Sequence, residues 1–173
     1  MKGVTTRMDI TMDLILDNLS GKYTLYGHLN DTPLKQPELF NPNKHPEKGG
    51  CYVSTVDLLP PKPEFNREML LICVGGMPWR VYSKGNFPVI WVENAAIYEV
   101  FNEVQTIYER YRNWSQSLQH IINTNVDYTE MARISMPILQ NPIAILDNQF
   151  YHLALTTYSI NGDGTANYAV DSA

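Results

Sequence analysis

Cysteine is scarce in this 173-residue chain, which holds only Cys51 and Cys73. Both sit in apolar, strand-like surroundings, Gly50-Cys51-Tyr52-Val53 and Leu71-Ile72-Cys73-Val74. That setting reads as two buried thiols in a reducing compartment, not as a disulfide framework or a redox pair. Lysine and arginine never form a run, and the net charge is −5 with a pI near 5.3. A phosphate backbone needs clustered positive charge, so the composition argues against nucleic-acid binding by this region. No stretch approaches the roughly 20 apolar residues that span a bilayer. The first 17 residues are interrupted by Asp9, Asp13 and Asp17, unlike a signal peptide. The chain therefore reads as cytoplasmic, with no membrane partner.

The motifs of common chemistries are missing too. His28, His45, His120 and His152 are far apart, and no two share a helix face, so no metal site is expected. There is no nucleophile elbow, phosphate-binding loop or dinucleotide fingerprint, and no cofactor is implied. Gly75-Gly76 follows a strand, but Met77-Pro78-Trp79 does not open a helix, and the pair reads as a turn. Asn161-Gly162-Asp163-Gly164 lacks the further carboxylates of a calcium loop and also reads as a turn. Glu99, Glu103 and Glu109 fall among apolar residues on a long helical stretch, where carboxylates usually make a solvated face. The expected class is non-enzymatic.

What is present is 44% apolar residues, enough for a real core. Met8, Met12, Ile15, Leu16 and Leu19 mark one face of a short helix that Ser20-Gly21 stops. Between Asp31 and Gly50 lie Pro33, Pro37, Pro42, Pro46 and a Gly49-Gly50 pair, the composition of an exposed, mobile loop. Three strands are expected at 51–56, 68–74 and 88–92. Leu70 to Val74 and Val89 to Val92 are continuous apolar runs, as in strands covered on both faces, which predicts a small, mostly parallel sheet in an α/β unit over residues 1–93.

Residues 94–123 carry the strongest pattern. Asn94 can cap a helix in which Ile97, Val100, Val104, Ile107, Tyr111, Trp114, Leu118 and Ile121 recur at alternating gaps of three and four. A seam of that period keeps facing one partner along roughly 40 Å of helix. It is read as a linking helix that makes a homodimer through Val104, Ile107, Tyr111, Trp114, Leu118 and Ile121. Phe101, Tyr108 and Ile122 widen the stripe as in a helix packed on its own sheet. A divided role satisfies both readings, with the first half covering the sheet and the second half pairing with another chain.

A further unit is expected over 127–173. Asp127 and Glu130 form a capping-box-like pair, and the helix they open buries Met131, Ile134 and Ile138 until Pro137 and Asn141-Pro142 end it. Ile143 to Leu146 and Phe150 to Thr156 read as an antiparallel hairpin turned by Asp147-Asn148-Gln149. One helix and one hairpin cannot enclose a core, so either this unit docks on the first or the chain is a piece of a longer protein, the second being the favoured reading.

Four segments together carry a family likeness: Gly50-Cys51-Tyr52-Val53-Ser54-Thr55; Leu70 to Gly75; Phe87-Pro88-Val89-Ile90-Trp91-Val92-Glu93 running into Ile97 to Ile107; and Asn141-Pro142-Ile143-Ala144-Ile145-Leu146-Asp147. Their order resembles the N-terminal sensory part of PucR-type bacterial transcription regulators, the purine-catabolism and sugar-diacid regulator group. The likeness spans most of residues 50–155 and is one of pattern; the Pro-rich stretch departs from it. It implies a small α/β sensor unit, a linking helix and the start of a PAS- or GAF-like α+β unit. DNA binding is implied only through a C-terminal helix-turn-helix of a longer parent chain.

The leading functional expectation is thus a regulatory region that senses a signal or small-molecule effector and dimerises. In an open α/β sheet a ligand sits at the carboxyl ends of the strands, which singles out Asp57, Gly75, Gly76, Glu93 and Asn94. The same residues also suit ordinary loops and caps. A structural interaction module using exposed Tyr and Trp is the alternative. An enzyme built on Asp57 and Glu93 is the weakest reading, since nothing places a nucleophile or base beside them.

Overall fold

The computed structural model describes residues 9–160 and 166–172; Met8 and the Asn161-Gly162-Asp163-Gly164 turn lie outside the described residues. The chain divides into two compact units, Met8–Arg110 and Tyr111–Ala173, with the division inside one long helix.

In the first unit, α1 (Met12–Asn18) starts later than the apolar spacing suggested, after Thr11 in extended conformation. Its turn leads into β1 (Tyr23–Tyr26). β2 (Glu38–Leu39) follows, then β3 (Cys51–Thr55), β4 (Leu70–Val74), the short α2 (Arg80–Ser83) and β5 (Val89–Val92). The sheet order is β1-β5-β4-β3-β2, with β2 to β5 parallel and β1 antiparallel against β5. This is the mostly parallel sheet that the apolar runs predict. All five residues of β4 are buried, as befits the central strand.

The four parallel strands lie side by side in chain order. The right-handed rule therefore sends each crossover over the same face. The core on that face agrees: Phe65, Tyr82 and Phe87, all from crossovers, pack with Tyr52, Leu71, Cys73 and Val89 of the strands. Phe65 lies 5.7 Å from Phe87, and Tyr82 lies 5.9 Å from Phe87 edge-on, the tilted and T-shaped contacts that aromatic quadrupoles favour. The Tyr82 hydroxyl donates to the Pro60 carbonyl at 2.7 Å, which ties α2 to the preceding crossover. Burial pushes the Tyr82 phenol up to about 12, with Cys73 adding to the effect.

The other face carries Val53, Leu70, Ile72 and Ile90, all with no exposure. The buried apolar residues available to cover it include Met12 and Ile15 of α1, and Val100, Val104 and Ile107 of the helix after β5. Cys51 pairs with Leu70, whereas Cys73 pairs with Ser54, so the register places the two thiols on opposite faces. Both are free and buried, and burial raises each to about 12.

The Pro-rich stretch is only in part the exposed loop that its composition suggests: residues 41–48 are exposed apart from the half-buried Pro46, but the part before them is anchored. Leu34, Pro37 and Phe40 are buried, and Glu38–Leu39 adds the edge strand β2. Apolar residues spaced among the prolines anchor it, and the Phe40 ring packs 5.3 Å from Phe65.

Helix α3 (Ile97–Thr124) has 28 residues, or about 42 Å at 1.5 Å each. In the second unit, its later part is followed by α4 (Tyr128–Leu139), whose Asp127 cap accepts from the Glu130 N–H at 2.9 Å. Glu130 itself pairs with Arg133, so only half of the expected capping box forms. The fully covered positions of α4 are Ala132, Ser135 and Met136, while Met131, Ile134 and Ile138 are half-buried. Pro137 does not end the helix; Gln140, at φ 52°, does. β6 (Ala144–Leu146), β7 (His152–Ile160) and β8 (Ala166–Ser172) form an antiparallel sheet. Phe150 lies in the β6–β7 turn at φ 65°, not in a strand as its aromatic character suggested. The turn is built on Asp147, whose carboxylate accepts from the N–H groups of Gln149 and Tyr151.

Candidate functional site

β5 ends at Val92, and four residues later the chain enters α3. The first turn is closed by Glu99, whose carboxylate reaches back to the Ala96 N–H at 3.3 Å. Asn94, expected as the cap, lies before this position. One turn further along α3, Glu103 accepts the Ser20 N–H at 2.6 Å and so holds the α1–β1 turn beside the helix. Arg110 donates to the Asn18 side chain at 3.0 Å, a second tie between α3 and the end of α1.

These connections frame a cleft of about 890 Å³. Its walls are residues 19–24, residues 91–95, and Glu99, Val100 and Glu103. The volume falls within the range of small-molecule sites. Trp91 forms part of the wall and donates its indole N–H to the Gly75 carbonyl at 2.9 Å, which sets the plane of the ring. Three carboxylates, Glu93, Glu99 and Glu103, face one ammonium group, Lys22. Such a cleft can bind and orient a polar small molecule, and the first two turns of the helix contribute Glu99, Val100 and Glu103 to its lining.

Of the five residues singled out at strand ends, Glu93 and Asn94 line this cleft, whereas Asp57, Gly75 and Gly76 do not. Asp57 is exposed in the 3-10 turn after β3. Gly75 is bound by its N–H to Val92 and by its carbonyl to Trp91, and supports the site from behind. The physical reason is topological. A crevice opens where successive connections leave opposite faces of a sheet, and strands laid in chain order offer no such point among β2 to β5. It is the antiparallel β1, an element not anticipated from the sequence, that makes a second wall beside β5.

The heptad residues divide. Val104, Ile107 and Tyr111 are buried within the chain itself, so they are not available to a second chain in this conformation. Trp114 is half-buried; its indole N–H donates to Ser135 Oγ at 3.0 Å, and its ring meets Tyr111 edge-on at 6.3 Å. Leu118 and Ile121 are half-buried, and Ile121 lines a shallow groove of about 620 Å³ with residues of α4. Among the described residues, no group of three or more His, Cys, Asp or Glu is placed to hold a metal ion, and no helix is long and apolar enough to cross a membrane.

Comparison of the chain with protein-family models, curated proteins and solved structures finds no match.

Proposed function

We propose that this chain is a non-catalytic regulatory region of a bacterial transcription regulator, in which the Met8–Arg110 unit takes a small effector and α3 carries the signal onward. The observation that supports this most is the place of the cleft: Glu99 and Glu103, in the first two turns of α3, are part of its lining. A ligand seated there touches the helix directly and competes for the Glu103 carboxylate that holds the α1–β1 turn. Occupancy would then change how α3 leaves the unit, a population shift driven by differential affinity for two helix positions. In this reading the chain dimerises through the exposed parts of Trp114, Leu118 and Ile121, and the three-stranded sheet with α4 begins a PAS- or GAF-like unit. DNA contact belongs to a helix-turn-helix in a longer parent chain.

The test is a thermal-shift screen of purines, organic acids, sugars and amines on the purified chain. It is run beside Ala95→Trp, which places an indole in the cleft wall. A compound that stabilises the parent and not the variant supports the reading. A response unchanged by Ala95→Trp, or none at all, refutes it.

One observation favours a second reading, a structural interaction module without a small ligand. Phe150 and Tyr151, at 81% and 67% exposure, stand out from the β6–β7 turn beside Leu146 at 41%. Apolar side chains so displayed suit a protein-binding surface.

A further inference from the structure

We infer that the Met8–Arg110 unit carries a docking surface for an acidic, apolar segment of a partner protein, formed where the chain leaves β3 and β4. The two strands end side by side, Thr55 opposite Val74, so the turns that follow them share one end of the sheet. Four large apolar side chains stand exposed in those turns: Leu58 after β3, and Met77, Trp79 and Val81 after β4, at 42% to 69% exposure. The loop that shows Met77 and Trp79 is held in place. Gly75 is bonded to Val92 through its N–H and to the Trp91 indole through its carbonyl, and Pro78, between the two exposed residues, is buried. Trp79 meets Tyr82 edge-on at 6.4 Å, and the Tyr82 hydroxyl bonds to the Pro60 carbonyl, which ties the two turns together. An exposed apolar surface fixed in this way loses little freedom on binding.

Charge selects the occupant. Residues 57–86 hold Lys62, Arg67, Arg80 and Lys84 against Asp57, Glu64 and Glu68, a positive balance inside a chain of net −5. Glu64 is committed to His45 and Glu68 to Lys48. Lys62, Arg80 and Lys84 are exposed and enter no ion pair among the described residues, where Lys35, Lys44, Lys48 and Arg133 each meet a glutamate. Lys84 follows Arg80 by one turn, its N–H bonded to the Arg80 carbonyl, so α2 sets two cations beside Trp79 and Val81. Complementary charge speeds and orients an encounter, and Trp, Met and Arg are enriched at the cores of interfaces. A bilayer is the poorer fit. Helices that lie on membranes present a long apolar face, whereas α2 has four residues, and the net charge of the chain repels anionic lipid. The surface does not rest on the cleft being a sensory site.

The experiment is selection of a displayed library of random short peptides on the full chain, followed by fluorescence anisotropy of the enriched peptides. Arg80→Glu/Lys84→Glu and Met77→Ser/Trp79→Ala are run beside the parent, each first checked for an unchanged circular dichroism spectrum, which the exposure of these side chains predicts. The expected result is enrichment of peptides that combine Asp or Glu with apolar residues. They should bind either variant about tenfold more weakly than the parent, and rising salt should weaken their binding to the parent. Enrichment of basic or uncharged peptides overturns the inference, as does binding to either variant that equals the parent's, or no enrichment at all. Two controls identify another occupant. Co-sedimentation with phosphatidylglycerol vesicles that both variants abolish, without peptide enrichment, assigns the surface to a membrane and overturns the inference. A light-scattering mass that falls in both variants, without any peptide, assigns it to a second copy of the chain and overturns it too.

Discussion

The two thiols and Tyr82 make alkaline pH a quantitative probe of the sheet core. Cys51 and Cys73, at 1% and 0% exposure, are raised from 9.0 to about 12 by burial, and Tyr82 from 10.0 to about 12. A group whose folded pKa lies above its unfolded value holds its proton more tightly when folded. Its contribution is whole below the unfolded value and is lost as pH rises towards the folded one. Between pH 8 and pH 10 each thiol should therefore withdraw about 1.4 kcal/mol and Tyr82 about 0.4 kcal/mol, roughly 3 kcal/mol together. The assay is urea unfolding under reducing conditions at both pH values, followed by tryptophan fluorescence in a Trp114→Phe background. Only Trp79 and Trp91, both in the Met8–Arg110 unit, then report. Cys51→Ala/Cys73→Ala should lower stability at pH 8 by about 1 kcal/mol per site while flattening the loss between pH 8 and 10. Comparing slopes removes the titration of surface lysines, which both proteins share. A double variant that loses as much as the parent would refute the buried-thiol reasoning.

Gly27→Ala should lower the melting temperature much more than Gly21→Ala. Both glycines have φ near +80°, but a Cβ at Gly27 would lie 2.4 Å from the Phe87 carbonyl oxygen, whereas Gly21 faces open space. Strain alone is worth about 1 kcal/mol, and the clash adds to it, so equal shifts in calorimetry would contradict the β1 placement. Asp127→Ala removes the α4 cap and should weaken the second unit by about 1 kcal/mol, read by far-UV circular dichroism in urea; Asp127→Ser should restore most of it. Leu118→Lys/Ile121→Lys should halve the light-scattering mass while sparing the circular dichroism spectrum, because neither side chain is fully buried. An unchanged dimer mass would move the pairing surface elsewhere.

Much of the fold was legible wherever one pattern dominated. The runs at Leu70–Val74 and Val89–Val92 identified strands buried on both faces, and the alternating gaps after Ile97 identified α3. β1 was missed although Tyr23-Thr24-Leu25-Tyr26 is rich in strand formers and lies between Gly21 and Gly27; four residues at a sheet edge make a weak period. The Pro-rich stretch misled because its composition is that of a loop, while Leu34 and Phe40 anchor it. The cleft was half legible. Glu93 and Asn94 follow from the strand-end rule, but Glu99 and Glu103 looked like a solvated helix face, and nothing local brings residues 19–24 beside them.

By itself, then, the sequence determined the type of the strongly patterned elements, because burial on one or two faces writes a period of 2 or 3.6 directly into their residues. It determined the acidic balance of the chain as well. Tertiary structure alone decided which strand lies beside which, that the thiols face apart, and that the first half of the heptad stripe is spent on the chain's own core. Those outcomes depend on pairings between residues distant in the chain, such as Thr24 with Trp91 and Ser20 with Glu103, and no local propensity specifies them.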